Sequence, residues 1–156
     1  MLNDSAGAII SSVIPVVLDT NVFVGALLKR GGTSRRVIRA CLSGAYQPLM
    51  GAALLAEYED VLSRDALWKT SLISVSEREA VLDGLLSVCR WTEVFFAWRP
   101  NLPDEGDNHL IELAVAGNAA AIVTRNIRDL ASGELQFQGL QILTPEQCLE
   151  AYPCRP

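Results

Sequence analysis

The sequence predicts an α/β protein, a three-layer α/β/α sandwich around a central parallel sheet, and three observations carry that prediction. Short apolar runs alternate along the chain with segments of helical periodicity, the order expected when helices cross between parallel strands. The first run, residues 13–18, has no polar residue and suits a strand buried on both faces. Two of the runs stop at polar residues, Asp19 and Thr124, as strands do where they reach an open carboxyl edge.

The elements follow in order. After the strand at 13–18, Thr20 or Asn21 is suited to cap a helix that continues through Val22, Phe23, Ala26 and Leu27. Gly31-Gly32 breaks it, and Thr33 or Ser34 opens a second helix with Val37, Ile38, Cys41 and Leu42 on its apolar face, closed by Gly44. Residues 47–50 form a second strand. Residues 52–63 form a helix with the stripe Leu54, Tyr58, Val61 and Leu62. Residues 64–74 read as irregular, and Ser76 with Glu79 has the spacing of a capping box for the next helix. A third strand is expected at 91–98, a turn-rich loop at 101–107, a helix at 108–116 and a fourth strand at 119–124. Residues 126–131 read as a loop or short helix, 140–143 as a last strand, and Pro145 starts a terminal helix. No repeat, linker or low-complexity tract interrupts the chain, so one domain spanning 1–156, with a core at about 14–150, is expected.

Composition narrows the function. Half of the 156 residues are hydrophobic, which favours a folded chain over disorder. A formal net charge of −5 argues against indiscriminate coating of nucleic acid or membranes. It leaves room for a nucleic-acid enzyme whose acids hold a metal. Lys29, Arg30, Arg35, Arg36 and Arg39 form a basic stretch with no acid among them. The four cysteines show no CxxC spacing and read as reduced thiols. The first twelve residues make a poor signal peptide, no apolar run is long enough for a membrane span, and a cytoplasmic location is expected.

Position distinguishes the functional acids from the solvated ones. Asp19 ends the central strand, where a charge is costly unless something positive meets it. Glu57 falls between Leu54 and Val61 on the apolar face of its helix and needs a partner, although it also suits a flank glutamate reaching water. Asp104 and Asp107 bracket a glycine turn before a helix. One cap does not need a second acid beside it. Asn126 and Asp129 follow Thr124 at the end of the fourth strand. Strand ends share one edge of a parallel sheet, so these groups converge on one crevice. Acids gathered so closely repel each other unless a hard cation such as Mg²⁺ or Mn²⁺ lies among them. Such an ion can activate water against a phosphodiester. The lone His109 reads as a flank residue facing away from Asp107.

Several stretches together resemble the PIN-domain ribonucleases, in particular toxins of bacterial toxin–antitoxin pairs. They are Val16-Val17-Leu18-Asp19-Thr20-Asn21, Leu55-Ala56-Glu57-Tyr58, Pro103-Asp104-Glu105-Gly106-Asp107-Asn108, Ala114-Val115-Ala116-Gly117-Asn118-Ala119 and Ile122-Val123-Thr124-Arg125-Asn126. The resemblance implies that Asp19, Glu57 and Asp107 bind metal, with Asp104 a further catalytic acid and Asn21, Thr124, Asn126 and Asp129 supporting polar groups. Where many members carry an aspartate this chain has Asn126, an amide that binds a cation without charge. The resemblance further implies endonucleolytic cleavage of single-stranded RNA, a cognate antitoxin and a homodimer. Arg35, Arg36, Arg39 and Arg125 would contact RNA phosphates, though each also suits a solvated surface. Two other readings compete: a catalytically weakened domain that binds RNA or protein, and a phospho-acceptor domain, which would want a late strand-end lysine where this chain has only Lys29 and Lys69.

Overall fold

The computed structural model describes residues 13–94, 108–131 and 139–154. Asp104, Asp107 and most of the strand expected at 91–98 lie outside the described residues, as do the first twelve residues and the side chain of Asp129.

Among the described residues five parallel strands form a central sheet in the order β3-β2-β1-β4-β5, flanked by helices in the expected α/β/α arrangement. The strands are β1 (Ile14–Leu18), β2 (Tyr46–Met50), β3 (Arg90–Trp91), β4 (Ala121–Val123) and β5 (Gln141–Leu143). The helices are α1 (Thr20–Leu28), α2 (Thr33–Leu42), α3 (Ala52–Leu62), α4 (Asp65–Trp68), α5 (Val75–Val88), α6 (Asn108–Ala116), α7 (Ile127–Ala131) and α8 (Pro145–Ala151). Among the described residues no helix is long and apolar enough to cross a membrane.

The apolar run of β1 occupies the centre of the sheet, with Val16, Val17 and Leu18 buried between β2 and β4. Its register pairs Val16 with Ala121 and Leu18 with Val123. Pro48 has no N–H to donate, and it falls in β2 before the ladder to β3 begins at Leu49. Helix α3 is fastened to β1 from inside. The buried Tyr58 hydroxyl donates to the Leu18 carbonyl at 2.7 Å, and its ring stacks on Phe23 with centroids 4.7 Å apart.

Four local expectations need correction. Helix α1 is capped through the backbone of Asp19, whose φ of −60° and ψ of 149° are extended, so neither Thr20 nor Asn21 is the cap. Both side chains are engaged elsewhere. The capping box of α5 is Ser74 with Glu77, not Ser76 with Glu79. Both pairs have the required spacing, and Ser74 takes the extended conformation that a cap needs. Of the strand expected at 91–98, Trp91 lies in the β3 ladder and residues 92–94 do not, although the Thr92 amide still donates to the Met50 carbonyl at 2.8 Å, while residues 95–98 lie outside the described residues. The segment read as irregular contains the single turn of α4, held by the Trp68 indole N–H on the Val61 carbonyl at 3.0 Å. In the turn from α6 to β4 the positive φ of 54° belongs to Asn118, while a Cβ on Gly117 would collide with the Leu49 side chain. All four cysteines are free thiols.

Candidate active site

Because Leu18 pairs with Val123, the next residue on each strand, Asp19 and Thr124, meets its counterpart at the carboxyl edge. Thr124 is fully buried and Asp19 is 8% exposed. The Thr124 hydroxyl donates to Asp19 Oδ2 at 2.7 Å, and the Asn21 amide donates to the same oxygen at 3.3 Å. The Thr124 oxygen in turn accepts the Asn126 backbone N–H at 2.9 Å. Burial pushes the Asp19 carboxyl above its ordinary range. The Thr124 hydrogen bond opposes this, and the nearby Glu57 charge reinforces it.

Glu57 arrives from α3, one residue before the anchored Tyr58. Its carboxylate is half-buried and points at the same edge, not into the core. The Thr20 hydroxyl donates to Oε1, and Oε2 meets His109 Nε2 at 2.9 Å. The His109 bond holds the Glu57 carboxyl below its usual range, against the opposing effect of burial, with Thr20 assisting. His109 Nδ1 is buried and has no hydrogen-bond partner among the described residues.

His109 is the residue that sequence reading missed. Taking Asp107 as the marker of the inner face turned the imidazole outward. The usable signal was different: His109 lies in the first turn of a helix that begins near the strand ends, where side chains reach the rim. Glu112, also on α6 and 8% exposed, is a second buried acid that the sequence pattern did not single out.

The arginines divide. Arg125 follows Thr124, and its guanidinium is already engaged: Nη1 donates to both Glu146 oxygens at 2.8 and 2.9 Å. Its Nη2 donates to the Thr33 and Ser34 hydroxyls at 2.8 and 2.9 Å. Its backbone N–H reaches Asn21 Oδ1 at 3.1 Å, so Asn21 joins this network to Asp19. Arg35 donates from Nε to the Ala26 carbonyl at 2.9 Å, while Arg36 and Arg39 are exposed on α2. Asn126 is exposed beside Thr124.

Two acids therefore meet at one edge, Asp19 and Glu57, linked through Thr20, which follows Asp19 directly. Among the described residues no group of three His, Cys, Asp or Glu side chains is placed to hold a metal ion. The donor chemistry present suits a hard divalent cation: carboxylate oxygens, one of them buried where its charge is disfavoured until a cation balances it.

The PIN domain family model matches residues 15–128. A chain in the crystal structure of VapBC2 from Rickettsia felis, bound to a DNA fragment from their promoter, has the same fold at a TM-score of 0.57 and 18% sequence identity. The likeness covers 83% of this chain and 97% of that one. No match emerges among curated proteins. With the family model spanning every strand from β1 to β4 and both site acids, the chain belongs to the PIN domain family.

Proposed function

We propose that this protein is a metal-dependent endoribonuclease that cuts single-stranded RNA, the toxin of a toxin–antitoxin pair. The observation that carries the reading is the meeting of Asp19 and Glu57 at the carboxyl edge of the sheet in a PIN domain, each carboxylate fixed by hydrogen-bond donors. Asp19 and Glu57 would hold Mg²⁺ or Mn²⁺ together with Asp107, and Asp104 would be a further catalytic acid. When bound, the ion supplies Lewis-acid polarisation of the phosphodiester and a more acidic water. Thr124 and Asn21 keep the Asp19 carboxylate in one orientation, and His109 and Thr20 do the same for Glu57. Fixed ligands of this kind spare the reaction the cost of ordering them. Asn126 follows β4 closely, where its amide would lower the negative charge available to a second ion, and Asp129 would be a further supporting polar group.

The partner in this reading is an antitoxin, supported by the VapBC2 complex to which the fold is similar. A cavity of about 910 Å³ between α1, α2 and the segment before α5 suits such a partner. Leu27, Ile38 and Ile73 lie in it, and Arg30, Arg35 and Arg39 stand around it. The protein works as a single domain, as a homodimer in the cytoplasm.

Cleavage of a generic single-stranded RNA with and without Mg²⁺ tests the proposal. Metal-dependent internal cuts, lost in Asp19→Asn while the variant stays folded, are expected. RNA left intact by the parent at millimolar Mg²⁺ and Mn²⁺ overturns the assignment and favours the weakened RNA- or protein-binding reading.

A further inference from the structure

We propose that the hollow next to the acids is a subsite for one unpaired nucleobase, with Trp91 as its stacking platform. The inference rests on the nuclease reading for its substrate but on separate observations for its location. The hollow has a volume of about 390 Å³ and opens where β2 and β3 end. Leu54, Trp91, Thr92, His109, Glu112 and Leu113 line it. Its back is closed at Gly51, where even a Cβ would lie 3.1 Å from the Thr92 carbonyl oxygen and 3.2 Å from the Leu113 side chain.

Position gives the first argument. His109 lines this hollow and also bonds Glu57, so hollow and acids are separated by one imidazole ring. An RNA strand with its scissile phosphate at Asp19 and Glu57 brings a neighbouring nucleotide to this wall.

Chemistry gives the second. No lysine or arginine lines the hollow among the described residues, and Glu93 does, so this lining offers a phosphate no cation to pair with. A flat, uncharged, partly apolar group is accepted. Trp91 ends the two-residue edge strand β3 and remains 52% exposed, an aromatic surface that no neighbour covers fully. Unstacked RNA bases seek such surfaces, because sequence recognition in single strands relies on aromatic stacking. Thr92 and His109 add polar atoms at the border for the edge of the base.

The test uses the full chain and short single-stranded RNAs, one intact and a series each carrying one abasic position. Trp91→Leu is expected to raise KM about tenfold, and Trp91→Phe, which keeps a ring, to stay within about threefold of the parent. An abasic position next to the cut site should weaken the parent and leave Trp91→Leu no worse. Exposure of Trp91 favours a folded variant, and the Phe substitution separates loss of stacking from loss of structure. A parent-like KM in Trp91→Leu, or an abasic penalty of equal size in both proteins, overturns the subsite. So does a loss of affinity confined to an arginine-rich peptide, which would make the hollow a protein contact. If the parent cuts no RNA, the nuclease reading falls by itself. Binding of the same oligonucleotides by fluorescence anisotropy then tests the subsite, and equal affinity of parent and Trp91→Leu overturns it.

Discussion

His109 Nε2 lies 2.9 Å from Glu57 Oε2, joining the first turn of α6 to the middle of α3 across the carboxyl edge of the sheet. Groups that orient a metal-binding carboxylate commonly change metal affinity or activity ten- to hundredfold when removed. His109→Ala is therefore expected to weaken Mn²⁺ binding by about tenfold or more, with the fold intact. Isothermal titration with Mn²⁺ measures this, and an unchanged affinity would show that the imidazole plays no part in presenting Glu57.

Ionising Asp19 carries a cost in the metal-free protein, since burial raises its carboxyl above the ordinary 3.8. The penalty is full above the folded-state value, shrinks as pH falls through it and vanishes below 3.8. Asp19→Asn, which keeps an acceptor for Thr124, should raise the metal-free thermal midpoint at neutral pH. A rise of about 3 °C corresponds to roughly 1 kcal/mol in a domain of this size. Mg²⁺ should then stabilise the parent and not the variant. Calorimetry in chelator and in Mg²⁺ decides, and a variant less stable than the parent in chelator counts against a strained charge.

Glu146 is pushed down to about 2 by the Thr33 hydroxyl and the Arg125 guanidinium. A lowered acid stabilises the fold above its unfolded value, here near 4.5, and that contribution is lost as pH falls toward 2. Both partners are about half exposed, so solvent screening keeps the pair at about 0.5 kcal/mol. Urea titrations of the parent and Glu146→Gln should differ at pH 7 and converge by pH 2. A gap of constant size across that range would mean that the carboxylate charge contributes nothing.

Tyr58→Phe removes a buried donor from the Leu18 carbonyl while retaining the stack on Phe23. A loss of about 1–2 kcal/mol in unfolding free energy is expected, because the carbonyl is left dry and unpartnered. Equilibrium denaturation measures it. A change below about 0.3 kcal/mol would mean that a water or a shifted backbone replaces the bond.

The frame was legible because the apolar runs and helical stripes of β1, α1, α3 and α6 follow their own periods, and burial on the sheet enforces them. Asp19 and Thr124 were legible for the same reason, as polar residues ending apolar strands. Local capping was harder to read. Ser74 and Ser76 offer the same spacing to different acids, and only the backbone conformation chooses between them. Partners distant in the chain were not legible at all. Nothing in the residues around Arg125 announces Glu146, and nothing near Glu57 announces His109, because these pairs arise from how helices converge on the rim. Pro48 shows the same limit within the sheet, since its tolerance depends on how far the β3 ladder extends.

The tether from Arg125 to Glu146 and the bond from the Thr124 amide to the Leu143 carbonyl (2.9 Å) mean that the crevice is braced from behind by β5 and α8, both synthesised after the strands and helices that carry the acids. A nascent chain that has not yet released β5 and α8 carries both acids but lacks the brace on Thr124 and Arg125. The finished crevice thereby waits on the release of β5 and α8, and a product cut short before them would be born without it.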